Sequence, residues 1–341
     1  RFRNVTGVQT CALPIYCLGA QQKKYTYTEM KMGSPFTIIM IGDNALKANQ
    51  LAHSSFELVD SLNHIFSNYD SSSELSKINA SAGVLPYKMS EAMKDLIEKS
   101  EQAYIKSKGA FDISVGALST LWRNARKFHQ FPDSLSILAA KKLIGLNKIQ
   151  INKRLGTIYL PAGMQIDFGG IAKGYIAQWI IDYLAKNGIK QALVDAGGDI
   201  VMSQAPMNKK GWLIGVNVPE TKDVLLDKKL VLSNCSVATS GDVFQNIKVK
   251  DLTYSHIINP MTGYGVTHSR NVTVIATSGA TADWLATACS ILPIKEAKQL
   301  AIHNKAALLI STIQNGKIHF ESTENFKYYW QTNHINNNKN R

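Results

Sequence analysis

Cysteine is scarce in this chain. The 341 residues contain four, Cys11, Cys17, Cys235 and Cys289, and no two are spaced as CxxC. Zinc ribbons and dithiol redox pairs therefore have no support. Cys235 and Cys289 stand inside apolar segments and read as small buried hydrophobes. Long apolar runs are missing as well: none approaches the ~18 residues that a membrane-spanning helix needs. Acids are few, 25 against 38 lysines and arginines, for a net charge of +13. The lysines are dispersed, which reads first as a solvated basic surface, with attraction of an anionic ligand or an anionic envelope surface as the functional alternative. No basic stripe is interleaved with aromatics, so nucleic acid is not expected as a partner.

What is present is an ordinary globular mixture, 45% hydrophobic and 18% charged, enough for one large domain or two modest ones. Residues 1–16, "RFRNVTGVQTCALPIY", have no clear period and resemble translated sequencing-adapter read-through; they are set aside from the fold. "CLGAQQKKY" then resembles the end of a secretory signal, with cleavage expected after Ala20 and Cys17 as the alternative, a lipid-attachment position. The expectation is an exported chain, periplasmic or at the cell envelope, with a single domain over 21–325 and a disordered polar tail over 326–341.

"FTIIMIG" (36–42) reads as a strand, and Ala48, Leu51, Ala52, Ser55, Leu58, Val59, Leu62, Ile65 and Phe66 recur at helical steps. Further helices are expected at about 90–107, 172–187, 279–292 and 295–304. Strands are expected at 156–161, on both sides of the Gly197-Gly198 turn, at 211–219, in "KLVLSNCSVAT" and "RNVTVIAT", and in a hairpin turning at Asn315-Gly316. Long helices with clustered, mainly antiparallel strands predict an α+β fold.

Three stretches carry chemistry. "DFGGIAKG" (167–174) matches neither GxxxxGK[ST] nor GxGxxG, yet it sets Gly169, Gly170 and Lys173 at a helix start, where unpaired N–H groups favour an anion. A plain strand-to-helix turn fits it equally well. In "GATADWLATACSILP" (279–293), Asp283 and Thr287 share one helix face, while Leu285, Ala288, Cys289 and Leu292 form the face expected to be buried. Such a pair could ligate a hard cation. Spacing alone favours instead a solvent-facing Asp and a Thr bonded back to its own helix. In "YSHIINPMTG" (254–263), His256 precedes a turn and could serve as a base or merely brace the turn. "VDAGGDI" (194–200) and "VATSGD" (237–242) are glycine turns, each carrying an acid.

Taken in order, "MGSPFTI" (32–38), "FSNYDSSSELSKIN" (66–79), "GAFDISVGAL" (109–118), "DFGGIAKGY" (167–175), "GGDI" (197–200), "TSGD" (239–242), "HIINPMTG" (256–263) and "ADWLATA" (282–288) resemble the FAD:protein FMN transferase, or ApbE, family. The resemblance covers nearly all of residues 25–320. It implies a T-fold-related architecture with an FAD site in a cleft. It implies Mg2+ held by Asp283, Thr287 and the Gly170 carbonyl, and FAD contacts from Met32, Tyr69, Ala110, Phe111, Asp112, Asp167, Lys173 and the Ile257 backbone. His256 matches the catalytic histidine. One mild departure, Trp284 and Leu285 within the metal motif, touches local packing only.

The implied reaction moves FMN from FAD to a Thr or Ser hydroxyl of a partner protein and releases AMP. The implied clients, subunits of membrane redox complexes or extracellular electron-transfer flavoproteins, carry an SGAT-type motif. The alternatives are an Mg2+-dependent FAD pyrophosphatase and a non-catalytic flavin-binding protein. "TSGAT" (277–281) itself resembles the acceptor motif, but Ser278 or Thr281 is expected to cap the helix that follows.

Overall fold

The computed structural model describes residues 22–217, 226, 228–241, 246–249, 252–267, 270–314 and 317–332. Cys11, Cys17, the adapter-like segment, the signal remnant, Asp242 and the Asn315-Gly316 turn lie outside them. No helix among the described residues is long and apolar enough to cross a membrane.

The chain opens with a hairpin, β1 (Lys23–Lys31) and β2 (Ser34–Gly42), joined by Met32 and Gly33, both at positive φ. Helix α1 (Ala45–Phe66) follows, capped by Asn44, whose side chain accepts from the Lys47 N–H at 3.0 Å. Next come α2 (Glu74–Ala80), the two-residue strand β3 (Tyr87–Lys88), α3 (Glu91–Lys106), α4 (Gly116–Phe128) and α5 (Ser134–Lys142). Two short strands, β4 (Gln150–Asn152) and β5 (Thr157–Tyr159), lead to α6 (Ala172–Lys186), then to β6 (Ala192–Ala196) and β7 (Ile200–Met202) across the glycine turn. The remaining strands are β8 (Trp212–Ile214), β9 (Leu230–Leu232), β10 (Cys235–Gly241), β11 (Asn246–Val249), β12 (Leu252–Ser255) and β13 (Arg270–Ala276). Helices α7 (Gly279–Ile291) and α8 (Ile294–His303) and strands β14 (Ala307–Gln314) and β15 (Lys317–Ser322) complete the body.

Eight strands form one sheet in the order β1-β2-β6-β7-β10-β13-β14-β15, and every neighbouring pair is antiparallel. The α+β expectation holds. Period-2 alternation divides the sheet residues between two cores. Phe36, Ile38, Met40, Val194, Val272, Val274 and Leu308 face the helical layer of α1, α6 and α7. Leu193, Val237, Ile275 and Leu309 face the opposite side, which Trp212, Ile214, Leu230 and Phe326 cover. A third cluster joins α4 and α5 to the β11–β12 hairpin through Trp122, Ile137, Ile247 and Ile258.

Three expectations need correction. "KLVLSNCSVAT" is two strands, because Asn234 at φ 50° turns the chain between β9 and β10. Among the described residues of the segment 211–219, only Trp212–Ile214 form a strand. The tail does not begin at 326: Phe326 is 1% exposed and packs edge-on against Trp330, so burial holds this segment on the sheet.

Candidate active site

The site is built where α6 crosses α7. A Cβ at Gly174 would run into the Gly279 carbonyl, and one at Gly279 into the Gly174 carbonyl, so only glycine lets the two backbones come this close. The crossing brings the start of α6 against the first turns of α7. Asp283 Oδ2 there accepts the Gly174 N–H at 3.0 Å.

Asp283 is 6% exposed rather than solvent-facing, and burial pushes its carboxyl up to about 6 against the pull of that N–H and of Lys173. Thr287 makes no bond back to its helix among the described residues, whereas Ser290 on the same helix does, to the Ala286 carbonyl at 2.9 Å. Both plain readings of the Asp-Thr pair therefore fail. Gly170 completes the corner: a Cβ there would stand 2.8 Å from Thr287 Oγ1 and 3.3 Å from the Phe111 ring. A carboxylate, a hydroxyl and the backbone of a glycine turn thus converge.

Lys173 stands in the first turn of α6, where Asp195, Asp199 and Asp283 all feel its charge. Asp195 is pushed above the ordinary carboxylate value by burial, although its Oδ1 accepts the Gly198 N–H at 2.7 Å. Asp199 is raised well above that value, first by removal from water and then by the charge of Asp283 and of Asp195. Three carboxylates therefore gather around Lys173. Among the described residues, however, no three His, Cys, Asp or Glu side chains stand close enough to chelate a metal by themselves. A cation here would need mixed oxygen donors, the kind of shell that suits Mg2+ when substrate phosphate supplies the rest.

A second group surrounds Asp167. Its Oδ1 accepts the Gly169 N–H at 2.8 Å, and its Oδ2 accepts from Asn68 at 2.7 Å and meets Arg123 at 3.4 Å. The Arg123 guanidinium lies 4.3 Å from the centre of the Tyr69 ring, and Tyr69 is otherwise 80% exposed. A cavity of about 350 Å³, lined by Asn68, Asn79, Thr120, Arg123 and Gln165, opens beside this group and does not reach Lys173, Asp283 or Thr287.

The other expected residues take separate places. Phe111 is buried, with its ring 6.2 Å from that of Trp284, so the unusual tryptophan fills the space behind the glycine corner. Ala110 is buried beside it. Asp112 is also buried, but its Oδ1 is occupied by Ser114, at 2.8 Å from the N–H and 2.6 Å from the hydroxyl. That turns the carboxylate to bracing its own turn. Met32 is half-buried in the β1–β2 turn, and Ser34 beside it approaches Gly197. His256 follows β12, and Ile257 is buried, its carbonyl accepting the Val266 N–H at 2.9 Å. Ser278 caps α7, its hydroxyl accepting the Thr281 N–H at 3.3 Å, as expected for "TSGAT". Sequence reasoning missed Arg123, on an unrecognised helix, and Asn68. It noted Asp195 and Asp199 only as acids in a turn.

The sequence profile of the ApbE family matches residues 32–310. The chain belongs to the ApbE family. Curated relatives named FAD:protein FMN transferase include one from Klebsiella pneumoniae, 28% identical over 275 residues and covering 79% of each chain. Another, from Escherichia coli K12, is 26% identical over 342 residues and covers 95% of this chain and 97% of its own. Among solved structures, an ApbE protein from Thermotoga maritima superposes with a TM-score of 0.82 at 28% identity, over 91% of this chain and all of its own. The apo flavinyl transferase ApbE of Pseudomonas stutzeri does so with 0.80 at 27% identity, over 91% and 97%. The glycine corner, Lys173 and the Asp-Thr pair of this ApbE chain all fall inside the matched span.

Proposed function

We propose that this chain transfers FMN from FAD to a Thr or Ser hydroxyl of a partner protein. The observation that carries the reading is the convergence of Gly170, Lys173, Asp283 and Thr287 at the α6–α7 crossing, in a chain whose relatives are named for this transfer.

Asp283, Thr287 and the Gly170 carbonyl fit a hard divalent cation, because all three are oxygen donors and only glycine leaves room against Thr287. Mg2+ bound there would supply charge neutralisation for the pyrophosphate and the departing AMP. Lys173 adds a fixed positive charge at the start of α6, where helix N–H groups also favour an anion.

The acceptor oxygen forms a bond to the FMN-side phosphorus as the bond from that phosphorus to the bridging oxygen breaks. The bridging oxygen and its electron pair leave with AMP. His256 takes the proton of the attacking hydroxyl. Tyr69 offers one ring face to the flavin or the adenine, the other being occupied by Arg123.

The test is a product balance. Purified chain, FAD and Mg2+ are incubated with and without a Thr-bearing acceptor. The reading expects AMP to appear only with the acceptor, one for each FMN bound to it. AMP and soluble FMN formed at the same rate without acceptor would make the chain a pyrophosphatase.

A further inference from the structure

The proposed chemistry sits at the end of the large sheet where the Gly197 turn approaches Ser34 and Lys173. The opposite end gathers lysines from segments far apart in sequence. Lys23 and Lys24 open the edge strand β1, where they pair with Gly42 and Ile41 at the close of β2. Lys47 stands in the first turn of α1, and its Nζ would be 3.4 Å from a Cβ at Gly188, just past α6. Lys186 ends α6, and the Lys190 carbonyl, shortly before β6, accepts the Gln204 N–H at 3.2 Å. Gln204 begins the loop that carries Lys209 and Lys210. That loop finishes at Gly211 against the Leu232 backbone, close to Asn234, whose N–H bonds the Ser203 carbonyl at 2.8 Å. Both ends of the loop therefore lie at this end of the sheet.

The segments that build it, 22–24, 42–47, 182–190 and 203–211, hold seven lysines and two acids, Asp43 and Asp182. All seven lysines are exposed. Among the described residues none of the seven has an ion pair, whereas Lys31, Lys94, Lys99, Lys298 and Lys327 elsewhere each lie within 3.1 Å of an acid. A face of one sign draws in a partner of the other. Two large apolar side chains stand among these charges, Leu46 at 75% and Met207 at 55% exposure. Lysines interspersed with exposed apolar groups suit a lipid interface, where headgroup phosphates meet the charges and the apolar groups enter the acyl boundary. Nucleic acid would satisfy the lysines but make no use of Leu46 and Met207.

We propose that this end of the sheet docks on the headgroups of an anionic phospholipid bilayer. The lysines lie at the phosphates, and Leu46 and Met207 enter the interface. Strand β2 runs nine residues from Ser34 to Gly42. At ~3.3 Å per residue it sets the site end of the sheet about 26 Å from the docked end. The cleft then faces away from the bilayer.

The test is co-sedimentation of the full chain with vesicles of pure phosphatidylcholine, or of phosphatidylcholine with about a third phosphatidylglycerol. The anionic vesicles are expected to bind at least about tenfold tighter, and added salt should weaken that binding steeply. Each lysine close to such a surface contributes about fivefold. Lys23→Gln, Lys24→Gln, Lys209→Gln and Lys210→Gln combined in one variant should therefore lose about tenfold or more in affinity. A control with the same net charge, Lys106→Gln, Lys108→Gln, Lys141→Gln and Lys142→Gln, changes exposed lysines of other segments and should stay near wild type. The FAD Kd should be the same in both variants and in wild type.

Equal binding to the two kinds of vesicle, or to neither, overturns the proposal. An equal loss in the two variants does so as well, because it would mean attraction by overall charge and not by this face. Binding to duplex DNA that the sheet-end variant loses, with vesicles ignored, would make the partner a nucleic acid. A weakened FAD Kd in the sheet-end variant would put these lysines in the site. The vesicle measurement needs neither FAD nor an acceptor, so it stands or falls separately from the transferase reading.

Discussion

Asp283 is the residue on which the proposed chemistry turns, and its burial gives it a measurable pH signature. Its carboxyl titrates at about 6 in the folded chain, against 3.8 for an ordinary Asp. Between these values the folded, cation-free chain holds more protons than the unfolded one. The contribution of Asp283 to stability is therefore greatest below the lower value and falls as pH rises through the upper. Asp283→Asn removes this loss, so its melting temperature in chelator should match wild type near pH 4 and exceed it increasingly up to pH 7. A constant difference across that range would mean that Asp283 is not held protonated by burial. Two further residues divide binding from turnover. His256→Ala should keep FAD affinity and slow transfer by about 10²–10⁴-fold, the usual contribution of a general base; unchanged turnover would remove it from that role. Lys173→Ala should weaken both FAD binding and transfer, but less than loss of Asp283, as titration calorimetry and initial rates would register.

Among the elements, the α6–α7 crossing does most to hold the site. Gly174→Ala would drive a methyl into the Gly279 carbonyl and toward Asp283 Cβ, 2.9 Å away. Overpacking in a well-filled interior costs about 1–3 kcal/mol, and here the obstacle is backbone, which cannot swing aside. The variant should lose at least that much in urea unfolding and should lose cation-dependent FAD binding with it. Wild-type stability would show that the helices have slack and that the close approach is not needed.

The same elements explain what the sequence revealed. Helix α1 was legible because its buried stripe, Ala48 to Phe66, keeps strict helical spacing behind a capping Asn44. Helix α7 was legible as a helix but not as one buried along most of its length, since Asp283 and Thr287 read as a polar face until α6 lay against them. Helix α4 was missed: it starts at a glycine, has no side-chain cap and ends at His129 in a left-handed conformation. Its Leu118, Trp122 and Ala125 spacing is the signal that could have found it. Arg123 was overlooked together with the helix that bears it.

At the scale of the whole molecule, the eight-stranded antiparallel sheet carries the α6–α7 site on its helical side and a second core on its other face. Family motifs placed most of the site residues in sequence, because glycine turns and an i, i+4 pair are local. The meeting of Asp167 with Asn68, 99 residues away, and of Gly174 with Asp283, 109 away, is a tertiary matter that no local pattern contains. The rear core gives a test of its own. Phe326→Ala should cost about 3–5 kcal/mol, the usual result of truncating a buried aromatic. It should leave FAD affinity in the surviving folded fraction unaltered, because Phe326 covers the sheet face away from the site. An unfolding midpoint equal to wild type would show that the C-terminal segment is dispensable.

The most direct test of the central claim is the mass of an acceptor domain bearing an SGAT-type motif, measured after incubation with the chain from residue 21, FAD and Mg2+. The account predicts a gain of one FMN that requires the acceptor's Thr and the cation and is lost in Asp283→Ala. An unmodified acceptor beside free FMN and AMP, or full modification by Asp283→Ala, would contradict it.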